Sequence, residues 1–130
     1  MFEGLDRSGK STQVEKLLQY FKSRKQEAKD IRYPNRESQS GKLLNQYLKS
    51  KEGEGMGHEA VHLLFAMNRW EEKKQIMDML DSGTHLICDR YAYSGVSYSL
   101  AKGLSFDWCC GADRGLIMPD LVIYFQASAD

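Results

Sequence analysis

Residues Gly4-Leu5-Asp6-Arg7-Ser8-Gly9-Lys10-Ser11 fill every fixed position of the spacing G-x-x-x-x-G-K-[ST], and Thr12 follows. No other stretch of the chain restricts the fold so strongly. A loop of this kind turns its backbone N–H groups toward one point, which its glycines permit. It also leads from a strand into a helix whose positive end faces that same point. The segment reads as a cradle for nucleotide phosphates, walled by Gly4, Asp6, Arg7, Ser8 and Gly9. Lys10 reaches the β- and γ-phosphates, Ser11 holds Mg²⁺, and Thr12 adds a hydroxyl near the α-phosphate. Only Met1, Phe2 and Glu3 precede the loop, where a buried strand belongs, so the chain is expected to be incomplete.

The remaining pattern alternates helices and strands. Val14, Leu17, Leu18 and Phe21 recur at helical spacing and predict a helix over residues 11–24. A short strand over 28–33 ends at Pro34. A helix over 40–51 follows, with Leu43, Leu44, Tyr47 and Leu48 on one face. The glycine-rich stretch 53–57 reads as a loop. One long helix is predicted over 58–80, turning Val61, Leu64, Phe65 and Ile76 inward, and Gly83 ends it. Leu86-Ile87-Cys88 is a short strand that delivers Asp89-Arg90-Tyr91 at its carboxyl end. Helices over 94–102 and 106–110 come next. Leu121-Val122-Ile123-Tyr124-Phe125 reads as a strand buried on both faces. This order implies an α/β fold, a parallel sheet flanked by helices in three layers, with ligands collecting outside the carboxyl ends of the strands. The cradle and Asp89-Arg90 both fall at such ends, so they converge on one crevice.

Lysines plus arginines equal aspartates plus glutamates at 18 each. With no net field, any anion site must be built locally, and neither nucleic acid nor a membrane surface is an expected partner. Cys88, Cys109 and Cys110 form no C-x-x-C pair, which fits reduced thiols better than disulfides or a zinc cage. No apolar run is long enough to span a bilayer and no signal peptide opens the chain, so the expected location is cytoplasmic, with a nuclear or mitochondrial pool left open. At 130 residues a single domain is expected.

Asp89-Arg90 taken alone reads as well as a surface ion pair. Opposite a phosphate loop, the arginine can clamp transferring phosphoryl oxygens while the aspartate orients metal-bound water or that arginine. Five segments then occur in order: Phe2-Glu3-Gly4-Leu5-Asp6-Arg7-Ser8-Gly9-Lys10-Ser11-Thr12; Tyr33-Pro34-Asn35-Arg36; Leu63-Leu64-Phe65-Ala66-Met67-Asn68-Arg69-Trp70-Glu71; Asp89-Arg90-Tyr91-Ala92-Tyr93-Ser94-Gly95-Val96; and Pro119-Asp120-Leu121-Val122. Together they resemble the thymidylate kinases, P-loop nucleoside-monophosphate kinases that phosphorylate dTMP with Mg-ATP. The resemblance spans essentially the whole chain.

That resemblance implies particular roles. Arg7 matches the arginine that eukaryotic-type members place in the loop to stabilise the moving phosphoryl group, so Arg7, Lys10, Asp89 and Arg90 form the implied catalytic set. Asp6 would contact the dTMP sugar, Arg36 the acceptor phosphate, and Phe65 would stack on thymine. Arg69 would meet a thymine carbonyl, Arg90 the phosphates, and Tyr98 the sugar 2′ position. Ser11 and Asp89 would serve Mg²⁺. By spacing alone Phe65 and Tyr98 read as core and Arg69 as a solvated helix residue; only the resemblance raises them. It also implies a homodimer. Tyr33 stands where the family commonly has phenylalanine, and Met118 where lysine often precedes Pro-Asp. The family's lid and C-terminal part are expected beyond Asp130.

Two alternatives remain at this stage: a related deoxynucleotide or deoxynucleoside kinase, and a catalytically impaired nucleotide-binding fragment or isoform. His58-Glu59-Ala60-Val61-His62 satisfies the H-E-x-x-H zinc spacing. It lies at a glycine-preceded helix start without a third-ligand pattern, so Glu59 is read as a first-turn carboxylate favoured by the helix dipole.

Overall fold

A computed structural model describes residues 1–49 and 55–127. Gly53 and Glu54 of the expected loop, Lys51 of the expected helix, and the last three residues lie outside the described residues. The element order is β1 (Phe2–Gly4), α1 (Lys10–Ser23), β2 (Ala28–Arg32), α2 (Gln39–Lys49), α3 (His58–Trp70), α4 (Lys73–Asp81), β3 (His85–Asp89), α5 (Ala92–Leu100), α6 (Phe106–Ala112) and β4 (Ile123–Phe125). The four strands form one parallel sheet in the order β2-β3-β1-β4.

Neighbouring residues of a strand point to opposite faces, and β3 makes the layering visible. Ile87 packs with Phe2 and with Val14 of α1, while Cys88 packs with Tyr33, Ile76 of α4, Tyr91 and Leu116. Helices therefore cover both faces, as expected of a parallel sheet. The register sets Phe2 beside Asp89, and Arg32 beside Asp89 on the other side. Three strand ends thus open onto one rim.

Two expectations are corrected. The long helix over 58–80 is two helices, α3 and α4, parted at Glu71-Glu72. The Glu71 carboxylate accepts the Ser40 N–H at 3.0 Å, and Glu72 accepts a bond from Asn35 Nδ2. Both carboxylates hold the 35–40 loop, and the chain turns between them. The apolar run at 121–125 is not a strand buried on both faces. It ends in β4 at the sheet edge, paired among the described residues with β1, and Leu121, Ile123 and Tyr124 are exposed. Of the apolar face of α2, Leu44 is fully buried, while Leu43 and Leu48 are exposed.

Candidate active site

The loop after β1 owes its shape to Gly4. Its φ is 144°, and a Cβ there would lie 2.4 Å from the Phe125 carbonyl oxygen, so only glycine lets the loop leave the sheet beside β4. Arg7 and Gly9 also take positive φ, 62° and 91°, before α1 begins at Lys10. Lys10 is buried inside the turn. Its Nζ donates to the carbonyls of Gly4 at 3.0 Å and Leu5 at 2.6 Å. Burial, and after it the Arg90 charge, hold the Lys10 pKa below its ordinary value, against the opposite pull of Asp89, Asp6 and Glu3. An anion in the loop would act with those carboxylates and favour the charged lysine.

At the end of β3, Asp89 Oδ2 accepts the Ser11 hydroxyl at 3.2 Å. Arg32, from the end of β2, sits on the same oxygen through Nε at 3.1 Å and Nη2 at 2.9 Å, and Nη2 also reaches Ser11 Oγ. Asp89 Oδ1 is buried without a hydrogen-bond partner. A hydroxyl, a carboxylate and an unpartnered buried oxygen are hard donors that fit Mg²⁺, which keeps several waters and phosphate oxygens in its shell. Among the described residues no cluster of three or more His, Cys, Asp or Glu could hold a metal by itself, so the Ser11–Asp89 pair suits an ion shared with phosphate.

Arg90 follows with φ of 65°, held by its own N–H to the Phe2 carbonyl at 2.9 Å and by Cys88 Sγ–H to its carbonyl. The guanidinium donates to Asp6 at 2.6 Å and to Ser94 Oγ at 3.0 Å. Glu3 is buried beneath it. Its carboxylate accepts the N–H groups of Tyr91 and Ser94 and the Ser94 hydroxyl, which fixes the first turn of α5.

These groups line a cleft of about 1270 Å³. Phe65 and Arg69 of α3 and Tyr98 of α5 line the same cleft. Arg69 is buried and lies in a paired contact with Asp113, Nε to Oδ1 at 2.9 Å and Nη2 to Oδ2 at 2.7 Å. Arg36 also lines it and donates to Asn45 Oδ1 at 3.3 Å. Cations, aromatic rings and a fixed donor in one cleft can hold two phosphorylated molecules.

The sequence profile described as thymidylate kinase matches residues 2–130. The chain belongs to the thymidylate kinase family. It is 45% identical over 131 residues to the thymidylate kinase of Dictyostelium discoideum, covering 100% of this chain and 58% of that protein. The Plasmodium falciparum (isolate 3D7) thymidylate kinase is 49% identical over 127 residues, covering 97% and 60%, and the Homo sapiens enzyme 44% over 127 residues, covering 97% and 59%. The chain thus spans about three-fifths of the length of these relatives. In fold it resembles a solved Candida albicans thymidylate kinase, described as having broad substrate specificity, with a TM-score of 0.87 at 38% identity. That match covers 98% of this chain and 62% of the other. The P-loop nucleoside-monophosphate kinase fold is therefore established.

Within this thymidylate kinase fold, every residue singled out from the sequence other than Gly4 lines the one cleft: Asp6 to Thr12, Arg36, Phe65, Arg69, Asp89, Arg90 and Tyr98. Gly4 acts from below, through backbone shape. Sequence reasoning missed Arg32, Glu3 and Asp113. Glu3 lies inside the quoted loop segment, but a carboxylate before a phosphate loop reads as exposed until its partners on α5 are known. Asn68 was quoted but given no role. Its Nδ2 donates to the Asn35 carbonyl and to the hydroxyls of Ser38 and Ser40, each at 2.9 Å, and its Oδ1 accepts the Asn35 N–H at 2.8 Å. It thereby holds the turn that carries Arg36.

The H-E-x-x-H spacing is structural on its second histidine. His62 is buried, with Nε2 bonded to the Cys109 carbonyl at 3.0 Å and Nδ1 to Ser99 Oγ at 2.7 Å. A carbonyl only accepts, so Nε2 carries the proton and the Ser99 hydroxyl donates to Nδ1. Both ring nitrogens are taken in joining α3, α5 and α6.

Proposed function

We propose that the protein to which this chain belongs transfers the γ-phosphate of ATP to dTMP, giving dTDP and ADP for dTTP synthesis. The observation that carries the reading is the lining of one cleft, where Lys10, Arg32, Arg90 and the Ser11–Asp89 pair meet Phe65, Arg69 and Tyr98. A phosphate monoester carries nearly two charges at neutral pH, so the acceptor needs little help from a general base. The demand is to hold two anions in line, which calls for cations and orientation.

Lys10 and the loop N–H groups hold the ATP phosphates, with Ser8 and Thr12 supplying hydroxyls. Arg7 and Arg90 stabilise charge on the transferring group. Ser11 and Asp89 would hold Mg²⁺, which would supply positive charge against the transferring phosphates. Arg36 meets the acceptor phosphate, Asp6 the sugar hydroxyl, Phe65 the base face, Arg69 a base carbonyl, and Tyr98 the sugar 2′ edge. A homodimer is part of the proposal, supported by exposed Leu63 and Met67 four residues apart on α3. So is cytoplasmic residence without a nucleic-acid or membrane partner. Three unbridged thiols and zero net charge support it, and no helix of the described residues is long and apolar enough to cross a membrane.

A coupled ADP-release assay across dTMP, dUMP, dCMP, dGMP and thymidine tests the reaction, beside calorimetric titration of Mg-ATP and dTMP. The expected result is preference for dTMP, with ATP binding lost in Lys10→Ala. Preference for the unphosphorylated nucleoside would overturn the acceptor assignment, and tight binding of both ligands without ADP release would leave a binding module.

A further inference from the structure

We infer that Asp113 and Gly95 are positioning residues for base selection, which they exert by fixing Arg69 with one guanidinium nitrogen turned to the cleft. The inference rests on the proposed dTMP reading. A guanidinium has five N–H donors in a rigid plane. Asp113 takes the edge formed by Nε and Nη2 through two parallel bonds of 2.9 and 2.7 Å, with both side chains almost wholly buried. A pair of this kind fixes the plane as well as the position of the group. Nη1 projects away from that edge, and no hydrogen bond among the described residues ends on it.

Gly95 of α5 supplies the other half of the arrangement. A Cβ there would lie 2.9 Å from Nη1, 3.0 Å from Nη2 and 3.2 Å from the central carbon. Any other residue would press the guanidinium out of its plane. Arg69 and Gly95 both line the cleft, so Nη1 stands at its wall beside the hydrogen of Gly95. A buried ion pair is weak evidence for stability, since removing both charges from water costs about what their attraction returns. Its use here is geometric: it presents an immobile donor. A fixed donor accepts the carbonyl edge of a 2,4-dioxopyrimidine and opposes the amino edge of an aminopyrimidine, where donor meets donor.

The distinguishing readout is the ratio of dCMP to dTMP dissociation constants, because a purely structural defect weakens both nucleotides together. Calorimetric titration of the full-length protein is compared with its Asp113→Asn and Gly95→Ala variants. Asp113→Asn replaces one accepting oxygen with an NH₂ that donates, so one of the two bonds is lost. Gly95→Ala leaves the ion pair intact and crowds the donor, so it decides the question if Asp113→Asn fails to fold, as judged by thermal melting. The expected result is a loss of about tenfold in the ratio, of the order of one charge-assisted hydrogen bond. An unchanged ratio in folded variants, with the parent still preferring dTMP, overturns this inference and leaves the proposed function standing. A parent protein that binds no monophosphate, or prefers dCMP, overturns both.

Discussion

Two arginine–aspartate pairs, one set at the base and one at the phosphates by the proposed function, are made of the same groups at similar distances. Arg69–Asp113 closes at 2.7 Å with side-chain exposures of 2% and 6%, and Arg32–Asp89 at 2.9 Å with 61% and 8%. At the base end each aspartate oxygen has its own donor and both partners are enclosed. At the phosphate end a single oxygen is shared by Arg32 and Ser11 while its twin has no partner. Lys10, on loop carbonyls, and Arg90, on the exposed Asp6, are held in the same provisional way. The difference teaches how one cleft can recognise and also turn over. On the proposed reading, a base is met by donors that do not move, whereas phosphates and a metal are met by groups whose present partners can be given up.

Breaking the enclosed pair gives the largest effect. Asp113→Ala leaves a guanidinium buried without a counter-charge and is expected to lower unfolding free energy by about 3–5 kcal/mol. Urea denaturation measures it, and a loss below that of a surface pair would remove the distinction between the two ends. The His62 clamp belongs to the same enclosed region. Ser99→Ala leaves the buried Nδ1 without its donor and is expected to cost about 1–3 kcal/mol in the same experiment.

At the phosphate end the response to pH sharpens the contrast. The folded pKa of Lys10 lies below its ordinary value, through burial first and Arg90 second. Between that lowered value and the unfolded one, the unfolded chain binds more protons, so stability rises with pH across this window. Below the window the cost of the buried charge is fully present, and above it the cost is gone. Comparing stability from neutral to alkaline pH in the parent and in Lys10→Met should show an alkaline gain in the parent that the variant lacks. Saturating ATP should diminish the gain, because phosphate favours the charged amine.

Much of this site was readable along the chain because its chemistry is local. The loop from Gly4 to Thr12 and the Asp89-Arg90 pair carry their spacing in consecutive residues, and strand–helix alternation brought their strand ends together. What escaped depends on partners far away in sequence. Arg32 meets Asp89 across 57 residues and Arg69 meets Asp113 across 44, so nothing near either arginine distinguishes it from a solvated one. The parting of α3 from α4 was hidden for the same reason: helical periodicity runs through Glu71-Glu72, and the turn exists because their carboxylates hold the 35–40 loop. The run at 121–125 is apolar wherever it sits, and only the strand order places it at an edge.

Arg32 gives the smallest stability effect and the most direct view of the provisional end. Its guanidinium is mostly in water, where an ion pair returns little, so Arg32→Ala should change unfolding free energy by no more than about 1 kcal/mol. Divalent-ion binding should move in the opposite sense. Arg32 places positive charge on the Asp89 oxygen and the Ser11 hydroxyl, the two groups that suit Mg²⁺, so the guanidinium and the ion compete for the same lone pairs. Removing it leaves those oxygens free, and Mn²⁺ affinity measured by paramagnetic resonance without nucleotide should rise. Arg32→Lys, which keeps one charge but loses the planar fork, should fall between the two. Equal Mn²⁺ affinity in all three proteins would mean that Arg32 does not guard the metal position, and the phosphate end would then be as settled as the base end.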